Sequence, residues 1–137
     1  MPKIFTSDKQ KIGELGEEVA AKFLMKQGFT ILDRNYTKKW GELDIVAEKK
    51  GKLYFVEVKS VSSADAPALA DRRETFDDYR PEDNMHPWKL KRLSRAIQTY
   101  ILHKKLDDRE WQLDLLIVFL NMKNKTARVK VVSDIIL

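Results

Sequence analysis

The sequence contains no cysteine and only two histidines in 137 residues. Disulfide bonds, thiolate zinc sites and thiol nucleophiles are therefore excluded, and the absence of cysteine fits a reducing compartment. A metal site built from histidine alone is not expected. Glycine is also scarce, with five residues, and no glycine-rich phosphate loop or Ser/His/Asp set occurs. Carboxylates remain as the candidate metal ligands.

Long apolar runs are also missing. No run reaches the roughly 18 residues of a membrane-spanning helix, and the first residues, MPKIFTSDKQKIGE, lack the apolar stretch of a signal peptide. We therefore expect no membrane association and a cytoplasmic location. The apolar content of 43% and the charged content of 34% predict one folded domain over residues 1–137 rather than disorder.

The chain does contain a stretch with two strand patterns, GELDIVAEKKGKLYFVEVKS, at residues 41–60. Alternation of apolar and polar residues on both sides of KKGK predicts a β-hairpin. If the turn is centred between Lys50 and Gly51, residues equidistant from that centre are opposed. Asp44 then faces Glu57. A three-residue loop would instead put Asp44 opposite an apolar residue.

Opposed side chains on a hairpin have Cβ atoms roughly 4.5–5.5 Å apart, where like charges repel. A hard divalent cation such as Mg²⁺, with Mn²⁺ as its substitute, takes one or two carboxylates together with waters and phosphate oxygens. Lys59 lies on the same face of the strand as Glu57. It would orient or help deprotonate a metal-bound water, or stabilise charge on a phosphate. The alternative is an exposed Glu57–Lys59 edge pair on an ordinary hairpin. The same register puts Glu42 opposite Lys59, as a cross-strand pair.

The first predicted helix offers two glutamates as a further acidic ligand. At 100° per residue, Glu17 lies on a small-residue edge with Gly13 and Ala20, whereas Glu18 lies toward solvent. Glu17 is therefore the preferred ligand. The alternative is that both glutamates are acids favoured by the helix dipole.

The order of the predicted elements indicates an α/β or α+β fold with a mixed sheet flanked by helices. One of the predicted elements, a flexible loop at residues 61–86, is interpreted as a lid over substrate or as a solvent-exposed excursion. The elements are a helix capped by Ser7 or Asp8 and running to about Gln27, a strand at Phe29–Asn35, a polar loop at Tyr36–Trp40, the hairpin at residues 41–60, a flexible loop at residues 61–86, a helix starting at Pro87, a buried strand at Trp111–Leu120, and an edge strand at Thr126–Val132.

The helix that starts at Pro87 concentrates positive charge. From Asn84 to Leu106 there are six lysines and arginines and no acidic residue, in a chain with a net charge of +5. Such a helix is typical of contact with a phosphate backbone, and a solvated helix face is the alternative. Trp88 and Tyr100 would stack on bases or, preferably, pack in the core. The candidate nucleic-acid-binding residues are Lys89, Lys91, Arg92 and Arg95.

In combination these motifs resemble a known family. A helix glutamate, then an aspartate and, a dozen residues later, E-x-K is similar to the PD-(D/E)xK restriction-endonuclease-like superfamily. The stretches GELGEEVAAKFLMKQGFTILDRNY, GELDIVA, FVEVKS and LDLLIV resemble more closely the YraN family of bacterial proteins, which is itself similar to archaeal Holliday junction resolvases.

The resemblance implies a restriction-endonuclease-like fold. In that fold Asp44, Glu57 and Glu17 would hold the metal and Lys59 would act on the attacking water. The family's G-x-x-G-E-x-x-A pattern points to the same helix glutamate. Its usual arginine two residues after E-x-K is Val61 here, so one phosphate contact is not expected.

The expected function is Mg²⁺-dependent hydrolysis of nucleic-acid phosphodiester bonds, with DNA, including branched DNA, as the substrate. Lys89 matches a family feature at the start of its helix and ranks first among the basic residues. A homodimer is expected from the resemblance alone. The alternative function is a non-catalytic nucleic-acid-binding module that keeps the nuclease-like fold.

Overall fold

A computed structural model describes residues 3–62 and 86–137 of the chain. Most of the flexible loop predicted at residues 61–86 lies outside the described residues, and its first two positions belong to a strand. One domain over residues 1–137 stays a prediction. The described elements are α1 (Lys3–Lys26), β1 (Thr30–Lys38), β2 (Gly41–Lys49), β3 (Lys52–Ser62), α2 (Pro87–His103), β4 (Trp111–Asn121) and β5 (Thr126–Val132).

The five strands form one mixed sheet in the order β1-β2-β3-β4-β5. Strands β3 and β4 are parallel, and the other neighbouring pairs are antiparallel. A parallel pair needs a long crossover, and the chain makes this crossover between Ser62 and Trp111, with α2 on the way. With a helix on each face, the fold is of the α+β class, which confirms the predicted mixed sheet flanked by helices.

The hydrophobic core has a layer on each face of the sheet because successive strand residues point to opposite faces. Phe55 lies under α2 and its neighbour Val56 lies under α1. Both helices contribute apolar side chains to this core. Within residues 3–62 and 86–137, no helix is long and apolar enough to span a bilayer. The buried residues on α2 are Leu93, Ala96, Ile97, Tyr100 and Ile101.

Helix α1 lies very close to β3 at one point. A Cβ atom on Gly16 would overlap the Oγ atom of Ser60 and lie 2.9 Å from its Cβ atom. Only glycine therefore allows this approach. The small residues Ala20 and Ala21 continue the contact surface and are fully buried, which fixes the position of Glu17 relative to the sheet.

The predicted start of α1 is wrong and its predicted end is confirmed. The helix begins at Lys3, so Ser7 and Asp8 lie inside it and do not cap it. No glycine or proline interrupts this part of the sequence, and a single serine or aspartate costs a helix interior less than about 0.7 kcal/mol. The helix ends at Lys26, and Gly28 follows it with a φ of +94°.

Strand β1 is longer than predicted. The loop predicted at Tyr36–Trp40 is wrong in part, because Tyr36 pairs with Leu43 and Lys38 pairs with Gly41. Only residues 39 and 40 form the turn. Because β1 is at the sheet edge, many of its residues are exposed and polar, and such a composition does not distinguish an edge strand from a loop.

Strand β4 is buried along most of its length, including its one charged residue, Asp114. Its Oδ1 atom accepts hydrogen bonds from Gln112 Nε2 at 2.7 Å and from the backbone N–H of Asp134 at 2.9 Å. Asp114 therefore attaches the segment after β5 to the sheet, and it is not part of the candidate site.

Candidate active site

The central hairpin has the predicted register. Lys50 and Gly51 have φ angles of 51° and 80°, and positive φ at both central residues is the signature of a two-residue type I′ turn. The pairs from Lys49–Lys52 to Ile45–Val56 are equidistant from the turn centre. The alternative register, in which a three-residue loop separates the two carboxylates, is therefore excluded.

The ladder of β2 and β3 ends at the Ile45–Val56 pair. At the next position, Asp44 Oδ2 accepts a hydrogen bond from the backbone N–H of Val58 at 2.9 Å. The carboxyl groups of Asp44 and Glu57 are close enough to change each other's pKa. The structure therefore brings the two predicted acids together.

Burial and mutual repulsion make this acid pair hard to ionise. Burial raises the pKa of Glu57 to about 8, with the negative charge of Asp44 as the next cause, and Lys89 opposes the shift. Burial also raises the pKa of Asp44, against the lowering effect of its hydrogen bond from Val58. Without a cation, both carboxyl groups therefore resist ionisation.

The lysine nearest to the pair comes from α2. Lys89 Nζ lies 3.6 Å from Glu57 Oε2, and the side chain of Glu57 is only 12% exposed. Lys59, the lysine of the E-x-K motif, is exposed at the surface of β3. Among the described ion pairs, none joins Lys59 to Glu42, Asp44 or Glu57.

The predicted cross-strand pair of Glu42 and Lys59 is wrong. The β2–β3 ladder stops before these positions, because the side chain of Asp44 takes the Val58 N–H group that a backbone carbonyl would otherwise take. Glu42 instead pairs in register with Thr37 of β1 and remains exposed.

The two helix glutamates have the different environments that were predicted. Burial, followed by the negative charge of Asp44, raises the pKa of Glu17. Glu18 is exposed, and its Oε1 atom is 2.7 Å from Arg34 Nη1. Glu17 is therefore on the side of the acid pair. No three acidic or histidine side chains among the described residues lie in a metal-binding arrangement, and the role of Glu17 as a metal ligand, directly or through water, stays a prediction.

A cavity of about 440 Å³ opens beside Glu57. It lies between the β1–β2 turn and the first turns of α2. Its lining contains three cations, Lys38, Lys89 and Arg92, and two carboxylates, Glu42 and Glu57. The cavity thus joins Glu57 of the acid pair to cationic side chains at the protein surface, an arrangement suited to a ligand that carries phosphate groups.

The four predicted nucleic-acid-binding residues, Lys89, Lys91, Arg92 and Arg95, are all exposed. Two of them also hold α2 against the β1–β2 turn. Arg92 Nε donates a hydrogen bond to the carbonyl oxygen of Trp40 at 3.0 Å, and the guanidinium of Arg95 lies 4.8 Å from the Trp40 ring centroid. Lys89 and Arg92 line the cavity, whereas Lys91 and Arg95 are not part of its lining.

The two aromatic residues considered for base stacking differ in burial. Tyr100 is 2% exposed, and its hydroxyl donates a hydrogen bond to Asp33 Oδ2 at 2.6 Å. It is a core residue. Trp88 is 57% exposed at the rim of the cavity. The preference for packing is therefore confirmed for Tyr100 and wrong for Trp88.

Sequence reasoning missed the contact of Lys89 with Glu57. It assigned Lys89 to the phosphate-binding helix on charge alone, because the two residues are far apart in sequence. The available signal was the family feature at this lysine, which singled it out from the other basic residues of α2 without giving its partner.

Comparison with known proteins identifies the family. The model of the uncharacterised protein family UPF0102 matches residues 16–133. A UPF0102 protein of Dictyoglomus turgidum is 31% identical over 118 residues, which cover 86% of this chain and 90% of the relative. Another, from Campylobacter jejuni, is 37% identical over 106 residues, 77% of this chain and 81% of the relative. The protein therefore belongs to the UPF0102 family, in agreement with its YraN-like motifs.

Proposed function

We propose that the protein is a Mg²⁺-dependent nuclease that hydrolyses phosphodiester bonds of nucleic acid, with DNA as the preferred substrate. The observation that carries the proposal is the partly buried acid pair of Asp44 and Glu57, whose pKa values are raised, beside a cavity lined by Lys38, Lys89 and Arg92. Two adjacent acids repel each other when they are ionised, so the pair does not by itself stabilise the fold. A cation between them would remove this repulsion.

The donor set fits Mg²⁺. This ion commonly binds one or two carboxylates and completes its shell with waters and substrate phosphate oxygens. Asp44 and Glu57 would hold it, and Mn²⁺ would replace it with the same oxygen ligands. Glu17, whose carboxyl interacts with Asp44, would contribute through a water molecule.

The protein side chains would divide the remaining work. Lys89 and Arg92, on the cavity wall, would hold the phosphate next to the acid pair. Lys59, two residues after Glu57 on β3, would orient the attacking water or stabilise charge on the phosphate. A bound Mg²⁺ would supply Lewis acidity and lower the pKa of the attacking water.

We also propose a superfamily for this fold, which the family assignment does not give. The strand order and the acids on β2 and β3 are compatible with the restriction-endonuclease-like superfamily and with a likeness to archaeal Holliday junction resolvases. A twofold dimer that acts on branched DNA is part of the same proposal, since enzymes of that type that cut two strands commonly use two copies of the site.

Cleavage assays test the activity. The purified protein is incubated with linear and branched DNA in Mg²⁺, in Mn²⁺ and in EDTA. We expect metal-dependent cleavage that falls at least 100-fold in Glu57→Gln and in Lys59→Ala, the order of effect seen when a group acting at the reacting atoms is removed. Lys22→Ala, which removes an exposed lysine of α1, is the control and should cleave normally. Cleavage that is unaffected by both site variants would contradict the proposal.

A non-catalytic nucleic-acid-binding module is the second candidate. It is favoured by the four exposed basic residues of α2, which would hold a phosphate backbone whether or not the acid pair binds a metal. This function predicts salt-sensitive binding of nucleic acid by the unmodified protein, with no cleavage in any metal on any substrate. A protein that neither binds nor cleaves would exclude both candidates.

A further inference from the structure

We propose that Trp88 is a stacking platform for one unpaired base at the rim of the candidate active site. The inference rests on the proposed action on nucleic acid and names the substrate class. That class is a strand with a base outside a duplex, as at a fork, a junction or a single-stranded end.

Core packing does not explain Trp88. Its residue surface is 57% exposed, although burial of an aromatic side chain is one of the larger gains in folding. The other two tryptophans, Trp40 and Trp111, are partly buried. Trp88 is in the first turn of α2, next to Pro87, whereas the first buried residue of this helix is Leu93.

The indole of Trp88 is held in place by its neighbours. The guanidinium carbon of Arg92, one helical turn later, lies 5.7 Å from the ring centroid. The imidazole of His86 is almost parallel to the indole, with an angle of 9° and a centroid distance of 6.3 Å. Arg92 is in turn fixed by its hydrogen bond to the carbonyl of Trp40. A preorganised aromatic surface loses little entropy when a base stacks on it.

The platform is continuous with the acid pair. Trp88, Lys89, Arg92 and Glu57 line the same cavity of about 440 Å³, which is at the low end of the roughly 300–1,000 Å³ of small-ligand pockets. That space fits a nucleotide rather than a segment of duplex. With its base on Trp88, the nucleotide has its phosphate next to Lys89 and Arg92, on the side of Glu57.

Stacking also selects the form of the substrate. In a duplex, both faces of an internal base are covered by the neighbouring bases. An indole can therefore stack on a base only where that base is unpaired or extruded. Base stacking on aromatic side chains is sequence-tolerant because every base has a π face. The platform therefore favours unpaired over paired substrate without sequence preference.

Binding measurements in EDTA separate this inference from catalysis. The ligands are a labelled single strand, the blunt duplex of the same sequence, and a duplex with one unpaired fork, compared at one salt concentration. We expect the wild type to prefer the single strand and the fork. Trp88→Ala should weaken both by roughly 5- to 100-fold and change duplex affinity less than about twofold. Trp88→Phe should keep most of the affinity.

The control is Leu102→Ala, which removes another exposed apolar residue of α2, 68% exposed and outside this cavity. It should change none of the three affinities. Equal loss for single strand and duplex in Trp88→Ala, no loss at all, or no nucleic-acid binding by the wild type would overturn the inference. Strand binding that depends on Trp88 but leads to no cleavage would contradict the nuclease and leave the platform intact.

Discussion

Glu57 couples the proposed metal site to the stability of the protein. Its pKa rises from 4.5 to about 8 on folding because the carboxyl is buried and faces Asp44. Between these pH values the folded protein binds a proton that the unfolded chain has released, so the free energy of unfolding falls as pH rises. In EDTA we expect a loss on the order of a few kcal/mol between pH 5 and pH 8, which Glu57→Gln removes for the most part.

Urea unfolding at several pH values measures this loss. Glu14→Gln is the matched control, because Glu14 is an exposed glutamate of α1 and its replacement should leave the pH dependence of the wild type unchanged. If Glu57→Gln and the wild type lose stability in parallel from pH 5 to pH 8, the pKa of Glu57 is not raised in solution.

Besides holding the phosphate, Lys89 is expected to position and tune Glu57. Its ammonium lies 3.6 Å from the Glu57 carboxylate and lowers the pKa of that carboxyl. In Lys89→Ala the pKa of Glu57 should rise further, and the rising limb of kcat/KM against pH should move to higher pH. Lys89→Arg should restore the wild-type limb, since it keeps the charge.

The pH profile distinguishes this role from phosphate binding. Lys91→Ala, on the same helix but outside the cavity lining, should raise KM and leave the position of the limb unchanged. A Lys89→Ala variant with a higher KM and an unmoved limb would show that the lysine binds substrate without tuning Glu57.

Among the elements, the hairpin was predictable and the docking of the helices was not. The Lys50–Gly51 turn sets the register of β2 and β3 locally, so spacing alone placed Asp44 with Glu57. The contact of Lys89 with Glu57 depends on how α2 docks, through Arg92 and Trp40, on a turn that is remote in sequence. No short-range pattern contains that information.

The docking of α1 on β3 gives an element-scale prediction. Gly16→Ala places a methyl group against Ser60, so we expect it to destabilise the fold by about 1–3 kcal/mol, the usual cost of overpacking. It should also lower activity, since the shift moves Glu17. Adding Ser60→Gly removes the two clashing atoms, Oγ and Cβ of Ser60. The double variant should recover much of the lost stability, except for the cost of about 0.5–1 kcal/mol of a glycine in a strand.

Gly13 provides the matched control on the same helix. No atom lies within 4 Å of a Cβ built at Gly13, so Gly13→Ala should stabilise the protein by up to about 1 kcal/mol through helix propensity. Thermal and urea unfolding of the four proteins measure these differences. If both glycine variants shift stability in the same direction, the close approach of α1 to β3 does not exist in solution.

At the scale of the whole molecule, the sheet collects residues that are separated along the chain. Glu17 comes from α1 on one face, Lys89 from α2 on the other, and the acid pair from the strands between them. Composition and periodicity predicted the mixed sheet and its two helices, but not the cavity, because a cavity arises from the joint placement of β1, β2 and α2. The exposure of Trp88 was missed for the same reason.

Because the proposed ligands belong to two paired strands of the central sheet, metal binding should stabilise the entire fold. A ligand that binds only the folded state adds about 2.7 kcal/mol at 100 times its Kd. Because the pKa of Glu57 is raised to about 8, metal binding must displace a proton at lower pH, and the increase in unfolding free energy with Mg²⁺ or Mn²⁺ should be larger at pH 8 than at pH 6. The double variant Asp44→Asn/Glu57→Gln should show no increase at either pH, while Glu14→Gln should respond as the wild type does. Unfolding curves with saturating metal and with EDTA measure these differences. If the metal still stabilises the double variant, it binds at a site outside the hairpin.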